Sequence, residues 1–297
     1  MKFLQYYKAN LDNIHVGIQS ELGIIDIAEA SETLGIPVPN QMKAIIQGSY
    51  EDHIQQILDY YTHHAHEVSF VDESTISYAP VVDNPEKIIC VGLNYHDHVS
   101  ESNISDAPDE PVLFSKFNNA LASHQQVIPL NQQGEQFDYE GELAVIIGKK
   151  AKNVSKADAL DVVFGYSIAN DVSVRDLQFK SGQWLLGKSN DGSAPIGPYL
   201  TTKDEVDVNH LDIKTFRNGN LVQSANTQQM IFDVAEIVSY ISAYMTLQAG
   251  DIILTGTPSG VVLGYPENER NWLKTGDEIT VEIEHLGRLT NTFEVEK

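Results

Sequence analysis

The chain of 297 residues contains one cysteine, Cys90, which excludes an internal disulfide and any cysteine-rich zinc site. Positive charge is scarce: 19 Lys and Arg stand against 42 Asp and Glu, for a formal charge of -23. Such a surface repels phosphate backbones, so no nucleic-acid partner is expected. Long apolar runs are missing as well. The opening MKFLQYYKANLDN is broken by Gln, Lys, Asn and Asp before a signal-type core forms, and no later stretch reaches the length of a membrane span. No membrane association is expected, and a cytoplasmic address follows by default. The 42% of hydrophobic residues is ordinary for a globular chain, and the length allows a main core plus a smaller unit. The acid excess poses a chemical question, because a small anionic substrate would need a local cation to receive it.

Residues 1–80 read as a small N-terminal α/β domain. Short apolar runs broken by Gly (HVGI, LGIIDI) are followed by a helix from about Pro39 to Gly48. A second helix covers EDHIQQILDYYTHHA, where Ile54, Ile57, Leu58 and Tyr61 recur at helical spacing. Asp83-Asn84-Pro85 marks the boundary. Residues 81–297 are β-rich: KIICVGL, PVLFSK, QQVIPL, FDYEGELAVIIG, VVFGYSIANDVSV and DIILTGT all read as strands. One hairpin turns at Asn218-Gly219, a pair that tolerates positive φ, and another turns around His285-Leu286-Gly287-Arg288. Between them DVAEIVSYISAYMTL reads as a helix capped by Asp233, and shorter helices are predicted over KADALDVV and VRDLQFKS. The fold class is therefore α+β, mainly β.

FDYEGELAVIIG carries the most chemistry. On a strand, Glu140 and Glu142 point to one face and Gly141 to the other. Two adjacent carboxylates repel unless something positive lies between them, and a hard cation with oxygen ligands (Mg²⁺ or Mn²⁺, with Ca²⁺ as an alternative) fits better than zinc. Asp171, at the end of the run SIAND, offers a third ligand. Taken alone, the Glu pair reads more readily as exposed residues of an edge strand, with Asp171 capping the next helix. The neighbouring histidine segment, VGLNYHDHVSE, tips that balance. His98 and Glu101 are three apart and share a helical face, so the carboxylate can fix the imidazole tautomer for a general base. His96 and Asp97 compete for that role. HHAH (His63, His64, His66) is read as a solvated helix end, and Trp184 and Phe179 as core or pocket-wall residues.

VGLNYHDHVSE, DYEGELAVIIG, the NDVSVRD run, GKS followed by PIGP, and GDIILTGTPSGV occur together in this order. In this the chain resembles the fumarylacetoacetate hydrolase family from about Lys87 onward, specifically its acylpyruvate hydrolase and oxaloacetate decarboxylase branch. The resemblance implies a β-sandwich roll as the catalytic domain and a homodimer. It implies Glu140, Glu142 and Asp171 as metal ligands, and His98 with Glu101 as the pair that activates water. Lys188 matches a lysine reaching the metal-bound oxygens. Gln178, Arg175, Thr257 and Lys116 match residues that bind or support substrate. Two positions depart from the pattern: Phe117 stands where the family often has proline, and Asn190-Asp191-Gly192-Ser193 replaces its Phe-Asp-Thr. Both put substrate specificity in doubt.

The chemistry implied is C–C bond cleavage in a small 2-keto acid, by acylpyruvate hydrolysis or oxaloacetate decarboxylation through a metal-bound enolate. The alternatives are a 2-hydroxyhepta-2,4-diene-1,7-dioate-type isomerase or hydratase of aromatic catabolism, and a catalytically silent metal-binding scaffold. Residues 102–111, SNISDAPDEP, are read either as a surface connection or as a loop that closes over the pocket.

Overall fold

A computed structural model describes residues 1–8, 13–101 and 107–296. Its organising element is the strand Gly141–Ile147, buried along its whole length. A run as apolar as LAVII, without polar alternation, can only be stable as a strand covered on both faces. Leu143, Val145 and Ile147 enter one hydrophobic cluster, while Ala144 and Ile146 enter another. The strand thus lies in a middle layer. Around it an eleven-stranded sheet runs in the order Gly23–Asp26, Ile14–Ser20, Lys2–Tyr7, Ala194–Thr202, Val163–Asn170, Gly141–Ile147, Ile252–Leu254, Ile88–Gly92, Val112–Lys116, with two short strands off this path.

One face of this sheet packs on a five-stranded sheet. That sheet is built from the two expected hairpins, Asp212–Arg217 with Asn220–Asn226 and Glu278–Ile283 with Gly287–Val295, and edged by Ile128–Leu130. Asn218 and Gly219 take φ of 51° and 78°, as a tight hairpin turn requires. The other face is covered by the helices Ile27–Leu34, Met42–Gln47 and Glu51–His63, whose Ile45, Ile54 and Ile57 join the second cluster. The helix Val234–Tyr244 closes the first cluster, and its N-cap Asp233 accepts the Glu236 amide. The α+β, mainly β architecture is that read from the sequence. Among the described residues no helix is long and apolar enough to cross a membrane.

Several elements differ from the sequence reading. Ala194–Thr202 is an internal strand although it contains Pro195 and Pro198, each of which removes a ladder donor. Pro198 falls where the register to Val163–Asn170 shifts, between Tyr166 and Ile168, and Pro195 lies opposite Ala122 of the short parallel strand Leu121–Ala122. The helix Ile27–Leu34, not anticipated from sequence, follows the apolar run LGIIDI; Asp26 caps it and Gly35 ends it in the left-handed region. KADALDVV winds as a 3₁₀ helix, Lys156–Val162. Strand Lys2–Tyr7 pairs with Ala194–Thr202 through Phe3 and Leu200, so the N-terminal hairpin extends the main sheet.

Candidate metal centre and its cavity

Strand register brings the three carboxylates together. Gly141 pairs with Asn170 and Glu142 with Ala169, and one step further the Asp171 amide donates to the Glu140 carbonyl over 2.9 Å. Glu140 and Asp171 are therefore cross-strand neighbours, Glu142 is their diagonal neighbour, and all three side chains leave the same face. Gly141 points the opposite way, where a Cβ would collide with Thr215 Oγ1 of the second sheet. One oxygen from each of Glu140, Glu142 and Asp171 lies within 4.8 Å of the others, and all three residues are buried. An exposed edge-strand pair is thereby excluded. The helix Arg175–Gln178 carries no side-chain cap, so Asp171 is not spent on capping it.

Cations surround the cluster without filling it. Lys188 donates to both Glu140 and Asp171, the latter over 2.7 Å, and its ammonium sits 4.8 Å from the centre of the Phe114 ring. Lys116 donates to Asp171 over 2.5 Å and to the Val172 carbonyl over 3.0 Å. Arg175 spans Asp138 and Glu140, at 2.9 and 2.7 Å. Glu142 accepts a backbone donor, the Gly256 amide, at 2.8 Å. Burial, then the charges of Asp171 and Glu140, push the Glu142 carboxyl well above the usual range. Burial also acts upward on Glu140, but Arg175 and Lys188 outweigh it and hold that carboxyl well below its usual range. Burial would lower Lys188, yet Asp171 and Glu140 keep it raised and protonated.

With every carboxylate ionised, as a bound ion requires, the buried network holds four carboxylates (Asp138, Glu140, Glu142, Asp171) against three cations (Lys116, Arg175, Lys188), one net negative charge. A divalent ion outweighs that charge, so a substrate anion is received by a cation instead of being repelled by carboxylates. The all-oxygen donor set suits a hard divalent cation.

His98 stands on the helix His96–Glu101, which follows the strand Ile88–Gly92. Its Nδ1 is 2.7 Å from Glu101, whose other oxygen accepts the Gly260 amide at 2.8 Å. A cavity of about 220 Å³ is lined by His98, Glu140, Glu142, Asp171, Arg175, Gln178, Lys188 and Thr257 together with an apolar wall that includes Phe114, Phe179 and Trp184. Eight of the ten residues singled out from sequence line this cavity; Glu101 reaches it through His98, and Lys116 lies behind Asp171 without lining it. The Thr257 hydroxyl donates to the Gly141 carbonyl and accepts from Gln223. Gln178 accepts from Arg175 over 3.0 Å. His96 and Asp97 are absent from the lining, and His63 and His64 bond to carbonyls of their own helix. Residues 102–106 of the loop read as a lid lie outside the described residues.

Sequence reasoning passed over Asp138, Ser173 and Gln223. Ser173 donates to Glu140 over 3.0 Å, and Gln223 accepts the Gly141 amide. Asp138 had a visible signal: Asp138, Glu140 and Glu142 continue one alternation in DYEGE. Ser173 and Gln223 carried none, since only tertiary contact brings them to the ligands.

A buried carboxylate triad beside a His–Glu pair, on a sheet of this topology, defines a metal-associated catalytic site of the fumarylacetoacetate hydrolase class. Residues 87–294 match the family described as fumarylacetoacetate (FAA) hydrolase C-terminal, and the chain belongs to it. Oxaloacetate tautomerase Fahd2a, mitochondrial, of Rattus norvegicus is 37% identical over 98% of this chain and 91% of its own length. Fumarylacetoacetate hydrolase from the psychrophile Exiguobacterium antarcticum superposes with a TM-score of 0.79 at 32% identity, covering 100% of both chains. The 2-hydroxyhepta-2,4-diene-1,7-dioate isomerase of Mycobacterium marinum gives 0.75 at 30% identity, over 100% of this chain and 99% of its own. The expected cytoplasmic address is overturned: the rat relative and those of Xenopus laevis, Bos taurus and Homo sapiens are named as mitochondrial proteins. The absence of a visible targeting segment was no basis for assigning a compartment.

Proposed function

We propose that the protein is a divalent-metal-dependent enzyme that interconverts the keto and enol forms of oxaloacetate or a similar small 2-keto acid. Glu140, Glu142 and Asp171 hold the ion, Mg²⁺ or Mn²⁺. The observation that carries this reading is the His98–Glu101 pair facing a buried three-carboxylate cluster across one small cavity. The rat relative's name, oxaloacetate tautomerase, supports the choice of substrate.

When bound, the ion would supply a Lewis acid that draws electrons from the keto group and acidifies the adjacent carbon. The remaining steps fall to the chain. With Nδ1 engaged by Glu101, proton exchange falls to His98 Nε2, which removes a proton from the carbon beside the keto group and returns one to the keto oxygen. Lys188, held protonated by Glu140 and Asp171, stabilises negative charge developing on that oxygen. Arg175 fixes Glu140 and Gln178, and Lys116 fixes Asp171 from behind. Phe114, Trp184 and Phe179 keep water from the rest of the cavity.

A second reading is C–C bond cleavage of an acylpyruvate or decarboxylation of oxaloacetate, with His98 activating a water. It is favoured by the same imidazole–carboxylate geometry and by likeness to a fumarylacetoacetate hydrolase structure. The deciding experiment supplies oxaloacetate, acetylpyruvate and fumarylpyruvate with Mg²⁺ or Mn²⁺, following enol absorbance and pyruvate release separately. Accelerated tautomerisation without pyruvate release supports the first reading. Pyruvate release without tautomerisation supports the second, and neither signal contradicts both. A scaffold that merely binds metal would be indifferent to His98→Ala. The proposed enzyme assembles as a homodimer, which light scattering would check.

A further inference from the structure

The carboxylate of Glu101 rests in a seat made by a distant turn. Its Oε2 accepts the Gly260 amide, and its chain end lies flat against Gly264, where an added Cβ would stand 2.5 Å from Glu101 Cδ. The turn that supplies both glycines is fastened at two further points. The Tyr139 hydroxyl donates to the Gly260 carbonyl over 2.9 Å. The Val262 and Leu263 amides donate to the two oxygens of Asp138, at 2.7 and 3.0 Å. Asp138 and Tyr139 immediately precede Glu140, and Arg175 ties Asp138 to Glu140.

We propose that turn 260–264 is the positioning element for Glu101, and that Asp138 and Tyr139 hold it in register with the metal-ligand strand. Carboxylate seat and ligand cluster then form one hydrogen-bonded frame, so His98 is oriented relative to the ion by the same residues that align Glu140. Gly264 is required for space, not for backbone freedom: its conformation admits an alanine, but the Glu101 carboxylate already fills the volume. The inference rests on the reading of His98–Glu101 as the proton-transfer pair.

The test compares Glu101→Gln, Gly264→Ala and their double variant in full-length protein loaded with Mn²⁺, using oxaloacetate tautomerisation for kcat and KM and Mn²⁺ titration for affinity. Loss of one charge-assisted hydrogen-bond partner acts on the scale of roughly tenfold to a hundredfold, so Gly264→Ala is expected to lower kcat by that factor. KM and Mn²⁺ affinity stay near wild type, and the double variant is no slower than the slower single one. If Glu101→Gln keeps full activity, the proton-transfer reading fails. If Glu101→Gln is impaired while Gly264→Ala is not, or if the two losses multiply, the seat is overturned. Should Gly264→Ala fail to fold, Tyr139→Phe decides: a several-fold fall in kcat at unchanged Mn²⁺ affinity supports the seat, and unchanged kcat overturns it.

Discussion

Replacing Lys188 by Met keeps the apolar stem and removes the ammonium that joins Glu140 to Asp171. Both carboxylates are buried, and Arg175 and Lys116 remain as their cationic partners. Removing one member of a buried ion pair costs about 3–5 kcal/mol, and the two remaining cations place the loss at the lower end. At about 2 °C per kcal/mol for a chain of this length, the metal-free melting temperature falls by about 6 °C. A divalent ion binds the same carboxylates and replaces the missing charge, so saturating Mg²⁺ should narrow the gap to about 3 °C or less. The assay is a thermal melt of wild type and Lys188→Met, each in EDTA and in Mg²⁺. An equal drop in both conditions would refute the idea that ammonium and ion share one set of carboxylates.

Gly141→Ala drives a methyl group into Thr215 Oγ1, 3.1 Å from Val281 Cγ1, between the two glutamates. Overpacking of this kind costs about 1–3 kcal/mol, and Mn²⁺ affinity measured by titration should weaken along with the melting temperature. Asn94→Ala removes three buried hydrogen bonds, to the Phe232 carbonyl and amide and to the Thr255 carbonyl. It should lower unfolding free energy by about 3 kcal/mol, read from the urea midpoint at constant slope. Glu142 gives a pH dependence. Its carboxyl is raised in the metal-free fold, so the folded protein keeps a proton that the unfolded chain has already lost. Stability of the metal-free protein should therefore fall as pH climbs from the unfolded value, about 4.3, through the raised folded one. Metal binding must expel that proton, so Mg²⁺ affinity should rise across the same window; calorimetry in buffers of different ionisation enthalpy would detect the release.

The carboxylate cluster was legible because it follows from two periodicities. Alternation puts Glu140 and Glu142 on one face, and an antiparallel partner ending in Asn170-Asp171 supplies the third oxygen when its register is extended by one step. Hairpins were legible for a similar local reason, since Asn218-Gly219 fixes its own turn. What could not be read depended on partners far along the chain. Ala194–Thr202 looks unlike a strand until the register shift beside Tyr166 is known. Lys116 looks like a pocket residue until Val112–Lys116 is seen to place it behind Asp171. The turn that receives Glu101 lies more than 150 residues downstream of it, and nothing local to either segment points to the other.

The central claim is that the buried triad works by holding a divalent ion. Its most direct test is oxaloacetate tautomerisation by protein stripped with EDTA, then by the same protein with Mg²⁺ or Mn²⁺ restored, for wild type and for Glu142→Gln. The account expects activity in wild type to vanish on stripping and return with the ion, and Glu142→Gln to recover little at the same ion concentration. Full activity in the stripped wild type, or full recovery in Glu142→Gln, would contradict it.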